Sequence, residues 1–337
     1  MDNTKTYNLK KTVIISIAVA LFLTLLVYLS SLSLSRFQSI LLEDKGASWY
    51  YWKLPSFSLW AAITGWGLYI LHQISAWYLI YKISKQKQAE KGKVTKLNIV
   101  FLVVNAVFVL LHIAQTMLFY DGLAQYTPVM SSQGSVIIML VMILILMNSR
   151  RGLFFGKKVK MPQGAVGWVM KSHGFYIAWA VVFTFWFHPT EGTLGHLLGF
   201  FYLFLLLIQM SLAKTSFHNE TAWVTVLEVY VAAHGAVVAI EAGNGMWPMF
   251  TFGFLMMFIV TQVYGIIKKK WALIALSALY AAAAVVVFSG VFGNDNTIAD
   301  IHQITWIPII LYLLVFVLLG LYQGAYLIAK GKKKPTK

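Results

Sequence analysis

Eight histidines and no cysteine bound the chemistry open to this 337-residue chain. Without thiols there can be no disulfide, thiolate metal site, iron–sulfur ligation, cysteine nucleophile or covalent c-type haem attachment. Every histidine except His218 falls within or at the end of an apolar stretch. An ionisable side chain there is expensive and marks a functional position by default. A set of imidazoles without thiolates suits haem iron, zinc, copper or non-haem iron.

The apolar stretches must position these side chains. Hydrophobic residues make up 59% of the chain and charged residues 11%, against about 25% charged in a soluble domain. Aromatic content of 15% excludes disorder. Ten apolar segments can be read, at roughly 13–34, 57–81, 97–120, 130–148, 164–187, 193–213, 221–241, 246–267, 271–291 and 303–328. Runs such as 101–118 show no alternation, which excludes a transmembrane barrel. The expected fold is an all-α, polytopic integral membrane helical bundle of about ten transmembrane helices, in a single transmembrane domain over 1–337. It has short cytoplasmic tails at 1–12 and 329–337 and an outer loop at 35–56. The first segment has no clear cleavage site and is expected to remain as an anchor.

The net charge of +16 is an orientation signal. With both termini inside, 24 of the 27 Lys and Arg fall on the cytoplasmic side, leaving only Arg36, Lys45 and Lys53 outside. Glu43, Asp44, Asp121, Glu191, Glu241, Asp295 and Asp300 map to the outer side. The expectation is a bacterial-type plasma membrane, with anionic lipids as partners at the cytoplasmic face and no nucleic acid. Trp49, Tyr50, Tyr51 and Trp52 read as an interfacial aromatic belt. Pro308 is expected to kink the last helix, and Gly195 and Gly199 to form a close helix contact.

Depth sorts the histidines into two layers. At ~1.5 Å per residue, His112 and His234 lie about 10–12 Å below the outer boundary, and His188 and His196 within about 5 Å of it, while His302 opens the last segment on the same side. His72 and His173 lie about 14–15 Å from the inner boundary. Asn105, His112 and Thr116 share one helical face, as do Tyr230, His234 and Glu241. Glu228 lies deeper, with Lys171 as its expected counter-ion by depth.

Three functions fit this pattern. The first is a membrane-embedded redox or electron-transfer protein holding haem b by bis-histidine ligation. His72 with His173 and His112 with His234 are the first-choice pairs, and His188 is an alternative partner for His112, His196 or His234. The second is a metal-dependent enzyme facing outward, acting on a small-molecule or lipid substrate. Zinc, copper or non-haem iron would be held by His112, His188, Glu191, His196 and His234. The third is a proton-coupled secondary transporter with Glu228, Glu241, Asp121, Asn105 and Lys171 handling protons. No HExxH, Walker A, GxSxG or dinucleotide fingerprint is present.

Overall fold

A computed structural model describes residues 5–38, 40, 52–243, 245–293 and 296–331. Glu43, Asp44, Lys45, Trp49, Tyr50, Tyr51 and Asp295, with the outermost residues of both tails, lie outside the described residues. Among the described residues the chain is helical apart from one two-stranded ladder, with 76% in helix.

The helices are α1 (Leu9–Ser31), α2 (Ser35–Gln38), α3 (Leu59–Ser84), α4 (Lys96–Phe119), α5 (Val129–Arg151) and α6 (Gln163–Phe187). They continue as α7 (Leu194–Ser211), α8 (Thr221–Glu241), α9 (Trp247–Val260), α10 (Lys270–Phe288) and α11 (Trp306–Gly331). Each of the ten apolar segments coincides with one of them. Eight elements are long and apolar enough to cross a membrane: α1, α4, α5, α7, α8, α10, α9 with its 3-10 extension, and α11 with the 3-10 turns before it. Helices α3 and α6, of 26 and 25 residues, are comparably long. They are more polar, carrying His72 and Gln73 in one and Lys171, Ser172 and His173 in the other. The protein is therefore an integral membrane helical protein.

Two compact units emerge: 1–136 with 174–244, and 137–173 with 245–337. In the first, strand Thr6–Asn8 pairs antiparallel with Lys93–Thr95, placing Asn8 opposite Lys93. Each strand runs straight into a helix, so the starts of α1 and α4 lie at one end of the unit. Local chemistry fixes both starts. Asn8 Oδ1 accepts from Lys11 N at 2.9 Å, and Thr95 and Asn98 form a reciprocal capping box over α4. The Asn98 amide also donates to the carbonyls of Ser211 and Ala213, bringing the end of α7 to the same place. Lys10, Lys11, Lys93, Lys96 and Lys214 thus share one end of the unit, and Asp121, Glu191 and Glu241 follow helices that finish or begin at the other.

The second unit has its own apolar core, in which Met142, Ile145, Leu153 and Val315 are fully buried. Helix α9 stops at Val260, short of the expected 267. There Thr261 Oγ1 bonds the Leu153 carbonyl and the Tyr312 hydroxyl, and Gln262–Gly265 continues as a 3-10 turn. Pro308 lies at the start of the last helix rather than in its interior. The segment Ile298–Thr305 is 3-10, so α11 starts at Trp306 and Pro308 occupies its first turn, where a missing N–H is tolerated.

Candidate functional site

The acidic end of the first unit collects four of the eight histidines. His112 of α4, His188 just after α6, His196 of α7 and His234 of α8 converge there. His188 lies within electrostatic range of the other three. The rings of His188 and His196 have centroids 6.2 Å apart at 73°. Four of the five histidines that depth assigns to the outer layer form one cluster; the fifth, His302, belongs to the second unit.

Their ring nitrogens are held by short-range contacts. His188 Nδ1 lies 2.8 Å from the carbonyl of Thr184, one turn earlier, so Nδ1 carries the proton and the neutral ring has its lone pair on Nε2. His196 Nδ1 is 3.0 Å from Thr193 Oγ1, and that hydroxyl donates in turn to Glu241 Oε2 at 3.2 Å. The same Thr193 oxygen caps α7 through the His196 amide. His196 Nε2 is buried and has no hydrogen-bond partner among the described residues, and the same holds for His112 Nδ1. Buried polar atoms without partners are rare enough to require an explanation.

Aromatic rings enclose the cluster. Trp52 sets its edge against His196 at 4.7 Å. His112 lies 4.4 Å from Trp186 and 4.5 Å from Phe185, and Phe200 packs on both His112 and His196. On α8, the His234 ring lies directly over Gly199, where an added Cβ would stand 2.8 Å from Nε2. His234 is also hydrogen bonded to the Gly195 backbone, and Glu241 Oε2 accepts from Gly195 N at 2.8 Å. The Gly195/Gly199 pair thus gives α8 close approach to α7, as expected.

His72 stands apart in role. It is fully buried, stacked 4.4 Å from Phe108, and both ring nitrogens are engaged. Trp186 Nε1 donates to Nδ1 at 3.1 Å, so Nε2–H donates to Asn105 Oδ1 at 2.9 Å. Asn105 Nδ2 then donates to Ser211 Oγ. Asn105, His112 and Thr116 are all buried, as their common face requires. His173 belongs to the second unit, with Nδ1 on the Met170 carbonyl. Lys171 is exposed in that unit, whereas Glu228 is half-buried in the first, beside Tyr202.

The remaining carboxylates have their own partners. Asp121 is fully buried; its oxygens accept from Leu54 N at 3.0 Å and Gln125 N at 3.1 Å. Burial pushes its carboxyl up to about 7, against the opposing pull of those amides and of Lys53. Burial also raises Glu191, which accepts from Gln38 Nε2 at 3.0 Å and lies against Tyr120. Tyr120, at φ 66, makes the turn that carries the chain out of α4 and aims Asp121 inward. Among the described residues no three His, Asp or Glu side chains form a group able to hold a metal ion. The set of His112, His188, Glu191, His196 and His234 forms no such group, and Glu191 is instead bonded to Gln38 beside Tyr120.

Trp186, Thr184, Thr193 and Phe200 were not expected at the site. Thr184 and Thr193 stand four and three residues before His188 and His196, a spacing that places a carbonyl or hydroxyl beside an imidazole. No protein-family model, curated protein or solved structure matches this chain.

Proposed function

We propose that this is a ten-span plasma-membrane redox protein, with both termini cytoplasmic, that holds a b-type haem between His188 and His196 near its outer face. The observation that carries this reading is His196 Nε2, a buried imidazole nitrogen without a partner among the described residues, in a ring 6.2 Å from that of His188. Two metal–nitrogen bonds of about 2 Å each, with the two ring radii, match such a gap. The other nitrogen of each ring is tied to Thr184 O or Thr193 Oγ1, the arrangement that fixes tautomer and orientation in metal-ligating histidines. His72 fits the ligand role less well, since Asn105 and Trp186 engage both its nitrogens.

A haem held here would supply one-electron transfer. The protein's own part is positioning and exclusion of water. Glu241, through the Thr193 hydroxyl, makes the His196 ring more electron-rich. Trp52, Phe185, Trp186 and Phe200 surround the imidazoles with apolar surface. The ten-span topology is supported by ten helices that coincide with the apolar segments and by lysines gathered at one end of the first unit.

Optical spectra of protein purified from haem-supplied cells test the reading. A Soret band and a pyridine haemochrome of the b type are expected, lost in His196→Ala and kept in His72→Gln. Protein that folds and shows no Soret band sinks it. A proton-coupled carrier is favoured by one further observation, the unpartnered Nδ1 of His112 inside a row of imidazoles. Its signature is uptake into vesicles driven by a pH gradient and abolished in His112→Ala.

A further inference from the structure

Helices α1, α4 and α7 enclose a groove of about 480 Å³ at the lysine-rich end of the first unit. Its floor is small or buried: Ala20, Leu23, Val109 and Leu207. Its rim residues Ile15, Val19 and Val103 are 51%, 40% and 57% exposed, so it opens sideways, where the bilayer lies. Every lining residue between Ile15 and Leu23 is apolar except Ser16. The mouth is different in kind, made by Tyr7, Asn8, Lys11 and Thr12. Lys93 pairs with Asn8 in the ladder, and Lys96 opens α4, so two further lysines belong to that end. From Asn8 to Leu23 the groove runs ~22 Å along α1, more than the ~15 Å of half a bilayer core.

We infer that this groove is a binding site for one anionic phospholipid, its phosphate at Lys11 and an acyl chain laid along α1 towards Leu23. Positive charge confined to the mouth of a channel whose remaining lining is apolar but for Ser16 and Asn105 matches that amphiphile, and a zwitterionic lipid gains little from it. The volume lies within the range of small-molecule sites. The small side chains of Ser16, Ala20 and Ala106 create the depth that separates this site from ordinary lipid contact. The inference is independent of haem binding, since the groove contains no histidine.

Native mass spectrometry of the full-length protein in detergent, titrated with phosphatidylglycerol or phosphatidylcholine, tests it. One phosphatidylglycerol retained in preference to phosphatidylcholine is expected. Lys11→Gln, at an exposed position, should weaken phosphatidylglycerol about fivefold, the weight of one lysine near a membrane surface, and leave phosphatidylcholine unchanged. Ala106→Phe, which fills the groove, should abolish retention of the preferred lipid. Equal retention of the two lipids overturns the proposal. So does indifference to Lys11→Gln, whatever the groove-filling variant does.

Discussion

The indole of Trp186 donates to Nδ1 of His72 at 3.1 Å while its ring lies 4.4 Å from His112. One side chain at the end of α6 therefore joins a histidine of α3 to a histidine of α4, although depth along the helices assigns these two to different layers. The donation also decides the chemistry of His72. An indole N–H can only donate, so Nδ1 must accept, Nε2 must carry the proton, and the ring is neutral with Asn105 as its acceptor. The polar chain from Trp186 through His72 and Asn105 to Ser211 is satisfied throughout, and it fixes α3, α4, α6 and α7 against one another within the first unit.

Replacing Trp186 with Phe should expose how much that donation contributes. The ring is largely preserved, but His72 Nδ1 loses its only donor in a fully buried site. Leaving such an acceptor unsatisfied costs about 1–3 kcal/mol. Thermal unfolding in detergent should show a lower midpoint for Trp186→Phe, and the double variant with His72→Phe should recover part of it. Equal midpoints for the wild type and the single variant would sink the account.

Gly199 gives a test in which the usual sign reverses. Gly to Ala inside a helix ordinarily stabilises by roughly 0.5–1 kcal/mol. At Gly199 the new Cβ would stand 2.8 Å from His234 Nε2, so the imidazole must leave its place against α7. Gly67, inside α3, has nothing within 4 Å of its Cβ position. Gly67→Ala should therefore raise the unfolding midpoint and Gly199→Ala lower it. Shifts of the same sign at both sites would contradict the close approach.

The helices were legible because a bilayer-spanning segment must be apolar over its whole length. The segment expected at 221–241 is α8, Thr221–Glu241, to the residue. Helix ends set by tertiary contacts were not legible: α9 stops where Thr261 meets Leu153 and Tyr312. The buried face of Asn105, His112 and Thr116 followed from spacing alone. The grouping of the outer histidines followed partly from depth, which fixes height along a helix but not direction around it. For that reason depth gives no hint of Trp186 between His72 and His112. Clusters are specified by azimuth and by helix neighbours, and a single sequence encodes neither directly.

Thr193 joins three roles that substitution can separate. Its hydroxyl caps α7, accepts from His196 Nδ1 and donates to Glu241. Thr193→Val keeps the shape and removes all three bonds, and a lost N-cap costs about 1 kcal/mol. Thr193→Ser retains them. If the hydroxyl orients His196 for ligation, the Soret band of Thr193→Val should shift or weaken and that of Thr193→Ser should match the wild type. A Thr193→Val protein with lowered stability and an unaltered spectrum would confine the residue to helix capping.

Asp121 makes the stability of the first unit depend on pH in a direction opposite to that of a salt-bridged carboxylate. Burial holds its carboxyl near 7 in the folded protein, whereas an unfolded aspartate titrates near 3.9. Between those values the folded state binds the extra proton, so its stabilising contribution is complete below about pH 4 and is lost as pH rises through about 7. The ionised form must leave water for a site where only the amides of Leu54 and Gln125 and the nearby Lys53 compensate it. Asp121→Asn keeps one carbonyl acceptor for one of those two amides and should lose about 1 kcal/mol through the other. It should also flatten the pH dependence. Unfolding midpoints measured in detergent at pH 5 and pH 8 should fall more for the wild type than for Asp121→Asn. Parallel curves for the two proteins would show that Asp121 does not titrate in this interval.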